Sequence, residues 1–596
     1  IELIFFNSRE GYIRKILKLN SVVIINGKIN HYKKKYQITN PTYIVPAENE
    51  SLVNKVMPKY SLTDGLNEKV YRNLVDGILK EIKDLDEWLD KEILEKIGNV
   101  SWVDAIFNVH QKQDNNIKSK YYRRLAYDEI LANLLVLSEV RKRIKKIKKM
   151  KKIFNNDDAD VLINNFNFKL TRNQTDIINE INEDLKSEFK MFRLLQGDVG
   201  SGKTIISFIA GLNAIKSKWQ VAFMAPTEIL ARQHYNLAKN IFSKTNVSIE
   251  LLSGKTDTKE KKRIINNLRN GETNFLIGTH ALFQKKIAFK NLGLIIIDEQ
   301  HKFGVKQRIK LSKKGGKDCD VLLMSATPIP RSLVLATYGD MDISRLVEKP
   351  ISRKDIITLS KPEEKIKEIM PFVKKQIFKG NQVFWVCPLI KESKKLDYTA
   401  AIDKYNFLKK NFTKRVGLIH GALDKVEKNK VLNDFLERKI DILVSTTVIE
   451  VGIDFPNASL IVIENSNKFG LSQLHQLRGR VGRGNEQGSC ILLYKKNLSE
   501  NAKKRIKILK SSNDGFLIAE EDMRLRGFGD VLGYQQSGIK DFKLADPIHH
   551  EDLFNLAEKN IREIEVNITD FKKYNVLLKL FDKADIINQI NLSKIN

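Results

Sequence analysis

The stretch GDVGSGKT, residues Gly197 to Thr204, decides the fold. It fits the phosphate-loop pattern G-x-x-x-x-G-K-T and lies between an apolar run, FRLLQ at 192–196, and a helical segment, as that pattern requires. Glycines in such a loop let backbone N–H groups turn around phosphate oxygens at a helix N-terminus. The pattern predicts that Lys203 neutralises the β- and γ-phosphates of ATP and that the Thr204 hydroxyl ligates Mg²⁺. The other loop residues assigned to the nucleotide are Gly197, Gly200, Ser201 and Gly202.

A second chemical element is IIIDEQH, residues 295–301, where an apolar run ends in two acids. The carboxyl ends of parallel strands form the edge of a sheet at which ligands bind. We therefore expect Asp298 to hold Mg²⁺ and Glu299 to polarise the attacking water. A strand that ends in acids is common, and it is the phosphate loop upstream that makes this assignment specific.

Two sets of short apolar runs alternate with helical segments. The first set comprises 192–196, 221–225, 274–279, 294–298 and 321–326, and the second comprises 383–387, 416–420, 441–446, 460–464 and 490–494. Apolar strands separated by helices are typical of parallel sheets covered on both faces. The predicted fold class is α/β, with two such parallel-sheet domains.

The second set contains QLRGRVGRG, residues 476–484. Arg480 and Arg483 lie three positions apart in a glycine-punctuated segment, with Gln476 at its start. Arginines placed in this way stabilise charge on the γ-phosphate in phosphoryl transfer, and arginines supplied by a second domain make hydrolysis depend on domain closure. We assign these three residues to catalysis.

The composition favours a polyanionic partner. The 596 residues carry 103 Lys+Arg against 72 Asp+Glu, a net charge of +31, and the hydrophobic fraction of 42% excludes a disordered chain. The three cysteines, Cys319, Cys387 and Cys490, lack metal-ligand spacing and favour a reducing, cytoplasmic location. No apolar run reaches membrane-spanning length. The chain begins at Ile1, so we expect it to lack part of its N-terminus.

The regions that flank the two α/β sets differ in character. Residues 1–45 have the short apolar runs of a small β-barrel, and residues 62–160 have helical spacing. The basic run at 141–152 is interpreted as a solvated linker helix, and direct phosphate contact is its alternative. Ile144, Ile147, Met150 and Ile153 would form one apolar stripe along that helix.

Together the motifs resemble the superfamily-two helicase motor, in which two RecA-like domains clasp ATP. The matching segments are LTRNQ, MAPTEILARQH at 224–234, GTHALFQ at 278–284, MSATPIPR at 324–331, HGAL at 420–423 and STTVIEVGIDFPNA at 445–458. The resemblance implies that Gln174 contacts adenine and that Gly452 and Asp454 approach ATP. It further implies DNA-contacting or coupling roles for Thr227, Thr279, His280, Ser325, Thr327, Thr446 and Thr447.

DEQHKFGVKQR, the PIPRSL extension and IENSNKFGLSQLHQLRGRVGRG are similar to the RecG family of bacterial DNA branch-migration helicases. SNDGFLIAEEDMRLRGFGDVLGYQQSG, residues 512–538, resembles that family's translocation motif, a helical hairpin and loop. Its polar positions are occupied by Arg524, Arg526 and Gln536, whereas Tyr534-Gln535 and Phe528 depart from the family's usual text. FFNSREGYIRKIL resembles the second half of an OB-type wedge whose base-stacking aromatics would be Phe6 and Tyr12, and a core role for one or both is the alternative.

This resemblance implies an ATP-driven translocase on double-stranded DNA that remodels forks and Holliday junctions. Its implied partners are branched DNA and, as a candidate, single-strand-binding protein, with no membrane and a monomeric chain. The predicted domains are a partial OB-like wedge (1–50), a helical linker (51–160), RecA-like domains (161–350 and 351–498), and a translocation hairpin with C-terminal helices (499–596). The alternatives are a transcription-repair coupling translocase, an RNA helicase and a non-hydrolysing DNA-binding scaffold.

Overall fold

A computed structural model of the protein describes residues 1–584, with gaps. The gaps are 7–8, 33–34, 55–57, 64, 67, 112–115, 156–161, 164–168, 255, 285, 300–315, 327–340, 351–353, 389–393, 413–414, 447–454, 485, 527–541 and 568–570. Contacts within the chain divide it into two compact units, residues 1–128 and residues 129–596.

The first unit begins with two small sheets. Its strands are β1 (Glu2–Ile4), β2 (Val23–Asn26), β3 (Ile29–Tyr32), β4 (Lys35–Thr39) and β5 (Tyr43–Pro46). They pair in the orders β1-β4-β3 and β2-β5. Its helices are α1 (Glu10–Ile16), α2 (Glu68–Glu81), α3 (Lys91–Ile97) and α4 (Trp102–Gln111), and α5 (Lys120–Lys146) begins within it. Two small, incomplete sheets are consistent with the predicted partial OB-like wedge.

The second unit contains a seven-stranded sheet in the order β12-β6-β11-β10-β7-β9-β8. Every pair of neighbours in it is parallel. The strands are β6 (Phe192–Gly197), β7 (Gln220–Met224), β8 (Ile249–Leu252), β9 (Phe275–Gly278), β10 (Leu292–Ile297), β11 (Asp320–Ser325) and β12 (Asp342–Leu346). Its helices are α6 (Arg172–Lys186), α7 (Lys203–Lys216), α8 (Glu228–Ile241) and α9 (Thr258–Asn270).

A six-stranded parallel sheet follows, in the order β13-β18-β17-β14-β16-β15. Its strands are β13 (Ile357–Pro362), β14 (Gln382–Val386), β15 (Val416–Ile419), β16 (Ile442–Ser445), β17 (Ala458–Ile463) and β18 (Ser489–Tyr494). The helices that follow or intervene are α10 (Ile366–Phe378), α11 (Lys394–Asn411), α12 (Lys425–Leu436), α13 (Leu471–Arg478), α14 (Glu500–Ser511), α15 (Gly515–Arg526), α16 (Glu551–Asn567) and α17 (Asn575–Leu580).

Both sheets are covered on both faces, because alternate residues of a strand enter separate cores. In β10, Leu294 and Ile296 pack into one cluster, while Ile295 and Ile297 pack into another. The same alternation divides the residues of β14 between two clusters of the second sheet. Continuous apolar runs are what a strand buried on both faces requires. The predicted α/β class with two RecA-like sheets is therefore confirmed.

Three strands were not predicted from the sequence: β8, β12 and β13. Each lies at an edge of its sheet, and each is only partly buried. An edge strand has one side open to solvent, so its sequence does not need the continuous apolar run by which the other ten strands were found. The two RecA-like sheets are thus one or two strands wider than the sequence indicated.

The interpretation of residues 141–152 as one solvated helix is wrong for its second half. Helix α5 ends at Lys146, and the chain beyond it is extended, with Lys148 bridged to Phe189. Within that extension Lys149 and Lys152 are buried, and both donate to one oxygen of the buried Asp320, at 2.7 and 2.6 Å. Met150 and Ile153, predicted to belong to an apolar stripe, are instead exposed. A buried carboxylate at the start of β11 turns the two lysines inward.

All three cysteines are buried and free of disulfides. Among the described residues, no helix combines the length and the apolar character needed to cross a membrane.

Candidate active site

The phosphate loop connects β6 to α7, at the carboxyl edge of the first sheet. Gly202 has a φ of +98°, and a Cβ there would overlap the amide nitrogen of Gln174, so this position requires glycine. A Cβ at Gly197 would lie 2.6 Å from the Ser201 hydroxyl and 2.9 Å from the Cβ of Leu346. Glycine at these two positions therefore leaves the loop backbone without Cβ atoms, so that a phosphate can approach its N–H donors.

Lys203 is the first residue of α7, and its side chain lies beneath this loop. Its ammonium donates to the carbonyl oxygens of Gly197 and Asp198, at 2.8 Å each. Burial lowers the pKa of Lys203, while the negative charges of Glu299, Asp298 and Asp198 act in the opposite direction. A buried ammonium whose hydrogen bonds go to neutral carbonyl oxygens is available to an incoming phosphate, which is a stronger acceptor.

The acidic pair follows β10, the strand next to β11 and β7 in the centre of the first sheet. Asp298 accepts from the Glu299 N–H at 3.0 Å, and its other oxygen lies 3.0 Å from Nε2 of His234. Burial raises the pKa of Asp298, but the His234 hydrogen bond and the charge of Lys203 outweigh it and hold that pKa below the usual value. Asp298 is thus kept ionised, the state that a metal ligand needs. Glu299 has a φ of +52°, a strained conformation typical of functional positions.

The arginine segment of the second sheet lies against this loop. Helix α13 places His475 so that its Nε2 is 2.8 Å from a carboxylate oxygen of Asp198. A Cβ at Gly479 would lie 3.3 Å from the Cβ of Val199. The positive charge of Arg483 acts with burial to lower the pKa of Lys203. The two sheets therefore meet at the predicted nucleotide position.

The three residues assigned to catalysis from the second sheet lie in or just after α13. Gln476 is half-buried on the helix and Arg480 is buried beyond its end. Arg483 donates from Nε to the carbonyl of Gly479 at 3.1 Å, which fixes the start of its guanidinium. The structure therefore brings this segment to the loop that carries Lys203.

Gln174 is buried, and both ends of its amide are engaged within the protein. It forms a capping box at the start of α6 with Thr171, and its Nε2 donates to the carbonyl of Ser201 at 2.8 Å. Its position links α6 directly to the phosphate loop. Adenine contact by Gln174 stays a prediction. The Ser201 hydroxyl, also buried, has no hydrogen-bond partner in the described part of the chain.

The residues assigned to DNA contact are not equally accessible. Thr227, which caps α8, and Thr279 are half-buried at the carboxyl edge of the first sheet. Ser325 is fully buried at the end of β11, a position suited to coupling rather than to touching DNA. Thr446 is also fully buried, with its hydroxyl enclosed, so the expectation that it contacts the DNA backbone does not fit its place in this structure.

Thr327, Thr447, Gly452, Asp454 and Gln536 lie outside the described residues, as do Phe528, Tyr534 and Gln535, and the side chains of His280 and Arg526 are not described. Arg524 is exposed on α15, 2.8 Å from Glu521.

Phe6 and Tyr12 are each 61% exposed, so a core role for these aromatics is excluded. Both residues belong to the first unit, and their rings are accessible to a binding partner.

Sequence reasoning missed His234, His475, Lys349 and Arg478. His234 was quoted within a motif, yet nothing in its local pattern distinguishes it from a core histidine. Its role depends on α8 packing beside β10. His475 stands one residue before the predicted arginine segment, and only the approach of two sheets gives it a partner.

Three family models match successive parts of the chain. They are the DEAD/DEAH box helicase at 171–335, the helicase conserved C-terminal domain at 364–485, and the ATP-dependent DNA helicase RecG, domain 3, C-terminal, at 512–585.

Relatives match over most of their length. The ATP-dependent DNA helicase RecG of Thermotoga maritima is 42% identical over 573 residues, covering 95% of this chain and 73% of the relative. That of Bacillus subtilis is 39% identical over 588 residues, covering 98% and 85%. A solved structure of RecG bound to a three-way DNA junction aligns with a TM-score of 0.66 at 41% identity, covering 93% of this chain and 73% of that one.

Proposed function

The chain belongs to the RecG family of ATP-dependent DNA helicases, and on that premise we propose that it is a double-stranded DNA translocase that remodels branched DNA. One observation carries the proposal. The phosphate loop of the first sheet contacts α13, the helix that leads into the arginine segment of the second, through the 2.8 Å hydrogen bond between Asp198 and His475. Nucleotide bound at this point would touch both sheets, so its hydrolysis would change how they pack together.

ATP would bind on the N–H groups of the phosphate loop, with Lys203 moving from its two carbonyl partners to the phosphates. Gly197, Gly200 and Gly202 leave room for this approach, and Ser201 offers a buried hydroxyl without a partner. Gln174, held against the loop, is placed to fix the side on which the base lies. Gly452 and Asp454 are the remaining residues predicted to contact the nucleotide.

The residues present fit Mg²⁺. The Thr204 hydroxyl begins α7, and Asp298 is an ionised carboxylate at the neighbouring strand end. Mg²⁺ is usually held by one or two protein oxygens together with substrate phosphates and water, so a larger ligand cluster is not needed. When bound, Mg²⁺ would offset the negative charge of the phosphates. Glu299 would accept a proton from the attacking water.

Arg480 and Arg483 would stabilise the charge that develops on the γ-phosphate, with Gln476 orienting the reacting groups. They come from the second sheet, whereas Lys203 comes from the first. Hydrolysis would therefore occur only when the two sheets are closed on one nucleotide, and product release would let them part.

The translocation element would use Arg524, Arg526 and Gln536 to convert each cycle into a step along the duplex. Exposure of Arg524 at the end of α15, and the domain 3 family match over 512–585, support this assignment. Phe6 and Tyr12 would stack on bases that are unpaired at the junction, because their rings are exposed and stacking suits any base.

Branched DNA is the proposed substrate because a RecG relative that aligns over most of this chain was solved on a three-way DNA junction. The net charge of +31 supports a phosphate-dominated interaction, which recognises shape rather than sequence and weakens steeply with salt. Three buried, free cysteines support a reducing compartment, the cytoplasm. A monomeric chain and a single-strand-binding partner stay predictions.

The test compares a three-way junction, a four-way junction, a linear duplex and an RNA hairpin as substrates of the wild-type chain. We expect ATP hydrolysis to be stimulated by DNA and strands to separate only at the branched substrates, and only with ATP and Mg²⁺. Hydrolysis without strand separation, or a preference for RNA, would refute the proposal. Binding without hydrolysis would point to a scaffold.

A further inference from the structure

Asp198 is the second residue of the phosphate loop, and both oxygens of its carboxylate are used. One oxygen lies 2.8 Å from Nε2 of His475 and also accepts from the Val199 N–H at 2.7 Å. The other lies 3.5 Å from the ammonium of Lys349. Asp198 is buried, and no substrate role is assigned to it.

The tautomer of His475 follows from its second partner. Nδ1 of His475 lies 2.9 Å from the Arg478 guanidinium, which can only donate. Nδ1 must therefore accept, and the neutral ring carries its hydrogen on Nε2, from which it donates to Asp198. The imidazole thus connects Asp198 to Arg478 with one bond on each side.

Arg478 continues this connection toward the C-terminal element. It is buried, and one terminal nitrogen donates to the carbonyls of Leu509 and Ser512, at 2.6 and 2.9 Å. Ser512 begins the segment that leads into α15. The first route therefore runs from Asp198 through His475 and Arg478 to residue 512.

A second route reaches the neighbouring residue. Lys349 belongs to the segment of chain that connects β12 to β13. Its ammonium donates to the carbonyl of Asn513 at 2.5 Å and also pairs with Asp198. A cavity of about 20 Å³, the size of one water molecule, lies between the routes. Asp198, Lys349, His475, Arg478 and Asn513 are among its lining residues. Two separate series of polar contacts thus start at the Asp198 carboxylate, and they end at the carbonyls of the adjacent residues Ser512 and Asn513.

We propose that His475 and Lys349 are positioning residues that relay the state of the phosphate loop to the 512–526 segment, along two parallel routes that start at Asp198. This inference rests on the proposed function, because it assigns the link between hydrolysis and movement. A nucleotide that shifts the loop moves Asp198, and the buried contacts carry that shift to Ser512 and Asn513. The catalytic arginines are not part of either route.

The test uses His475→Asn, Lys349→Met and the double variant. In His475→Asn, the side-chain oxygen takes the place of Nδ1 and can still accept from Arg478. The Nε2–H group that donates to Asp198 is lost. Methionine keeps the length of the lysine stem without its charge. Lys503→Met is the matched control, since Lys503 is exposed and pairs with Glu500 at the start of α14. Circular dichroism and thermal unfolding establish that each variant is folded.

The first readout is hydrogen exchange of the backbone amides, with and without a non-hydrolysable ATP analogue. In the wild type and in Lys503→Met, the analogue should change exchange both in the phosphate loop and at 512–526. In the double variant the change in the loop should persist while that at 512–526 disappears. Retention of the change at 512–526 would overturn the relay, whatever the protein does to DNA.

The second readout is the number of junctions resolved per ATP hydrolysed. Each single variant should lower this ratio about threefold, and the double variant about thirtyfold, because routes that share both ends compensate for one another. DNA-stimulated hydrolysis should fall less than junction resolution does, because Lys203, Glu299 and the catalytic arginines are unchanged. A double variant that loses no more than the product of the singles, or hydrolysis that falls as far as unwinding, would contradict the inference. A wild type that resolves no junction would refute the proposed function, and the exchange experiment would still decide the relay.

Discussion

Nε2 of His234 lies 3.0 Å from a carboxylate oxygen of Asp298, although 64 residues separate the two in the chain. His234 is carried by α8 and packs on Phe223 of β7, with ring centroids 4.7 Å apart. The histidine therefore orients the acid that is proposed to hold Mg²⁺.

His234→Ala should raise the Mg²⁺ concentration needed for half-maximal ATP hydrolysis by about tenfold or more, as loss of an outer partner of a metal ligand does. A Mg²⁺ titration of the hydrolysis rate measures this. His234→Gln, which keeps an N–H donor near the same place, should recover most of the affinity. Equal Mg²⁺ dependence in wild type and His234→Ala would show that the contact does not orient Asp298.

Lys203→Ala should reduce ATP turnover at least about a hundredfold, because it removes the buried cation that is placed to stabilise phosphate charge. Binding to a three-way junction, measured by fluorescence anisotropy, should stay within about threefold. Lys216→Ala, at the other end of α7, serves as control. Turnover that survives in Lys203→Ala would refute the phosphate-loop assignment.

Arg526→Ala should retain DNA-stimulated hydrolysis but lose at least about tenfold in branch migration per ATP, because its proposed contact is with the duplex rather than the nucleotide. Arg524→Ala, two residues earlier and paired with Glu521, tests whether the effect extends to the neighbouring arginine. Parallel assays of phosphate release and four-way junction migration measure both activities. Loss of hydrolysis and migration together would mean that the element supports catalysis instead of coupling.

Phe6→Ala and Tyr12→Ala should each weaken binding to a fork relative to plain duplex, since stacking contributes about 1–3 kcal/mol per base. The matched control is Tyr36→Ala, because Tyr36 is 61% exposed, like Tyr12, but stacks edge-on against His31 of the neighbouring strand. Competition binding with the two DNAs measures the ratio of fork affinity to duplex affinity. If Tyr36→Ala lowered this ratio as much as Phe6→Ala and Tyr12→Ala do, base stacking by Phe6 and Tyr12 would lose its support.

Asp320→Asn should lower the free energy of unfolding by about 3–5 kcal/mol, because it leaves two buried ammonium groups without a counter-charge. Asp318→Asn is the control. Oδ1 of Asp318 accepts the N–H of the exposed Met150, and the side-chain oxygen of asparagine can accept the same hydrogen bond. Asp318→Asn should therefore lower the free energy of unfolding by no more than about 0.5 kcal/mol. Denaturant unfolding of the full chain measures both, and similar values would show that the lysine pair is not held by Asp320.

Much of the architecture was predictable because it depends on patterns of residues that are adjacent in the sequence. The ten predicted strands contain mainly apolar runs, and the phosphate loop is a local pattern between a strand and a helix. The edge strands β8, β12 and β13 escaped prediction because half-exposed strands have no such run. The second half of the basic run was misassigned because the partner that draws Lys149 and Lys152 inward, Asp320, lies about 170 residues further along the chain.

The candidate site divides in the same way. The sequence by itself determined which residues are proposed to carry the chemistry, Lys203, Asp298, Glu299 and the arginines, since residue type and spacing specify how phosphate and metal are bound. Only the tertiary structure decided that Thr446 is enclosed and that His234 supports Asp298. It also decided that Asp198 meets His475 across 277 residues of chain. Periodicity is a property of neighbours in sequence, whereas these contacts arise from the packing of helices and of two whole sheets, which no local pattern encodes.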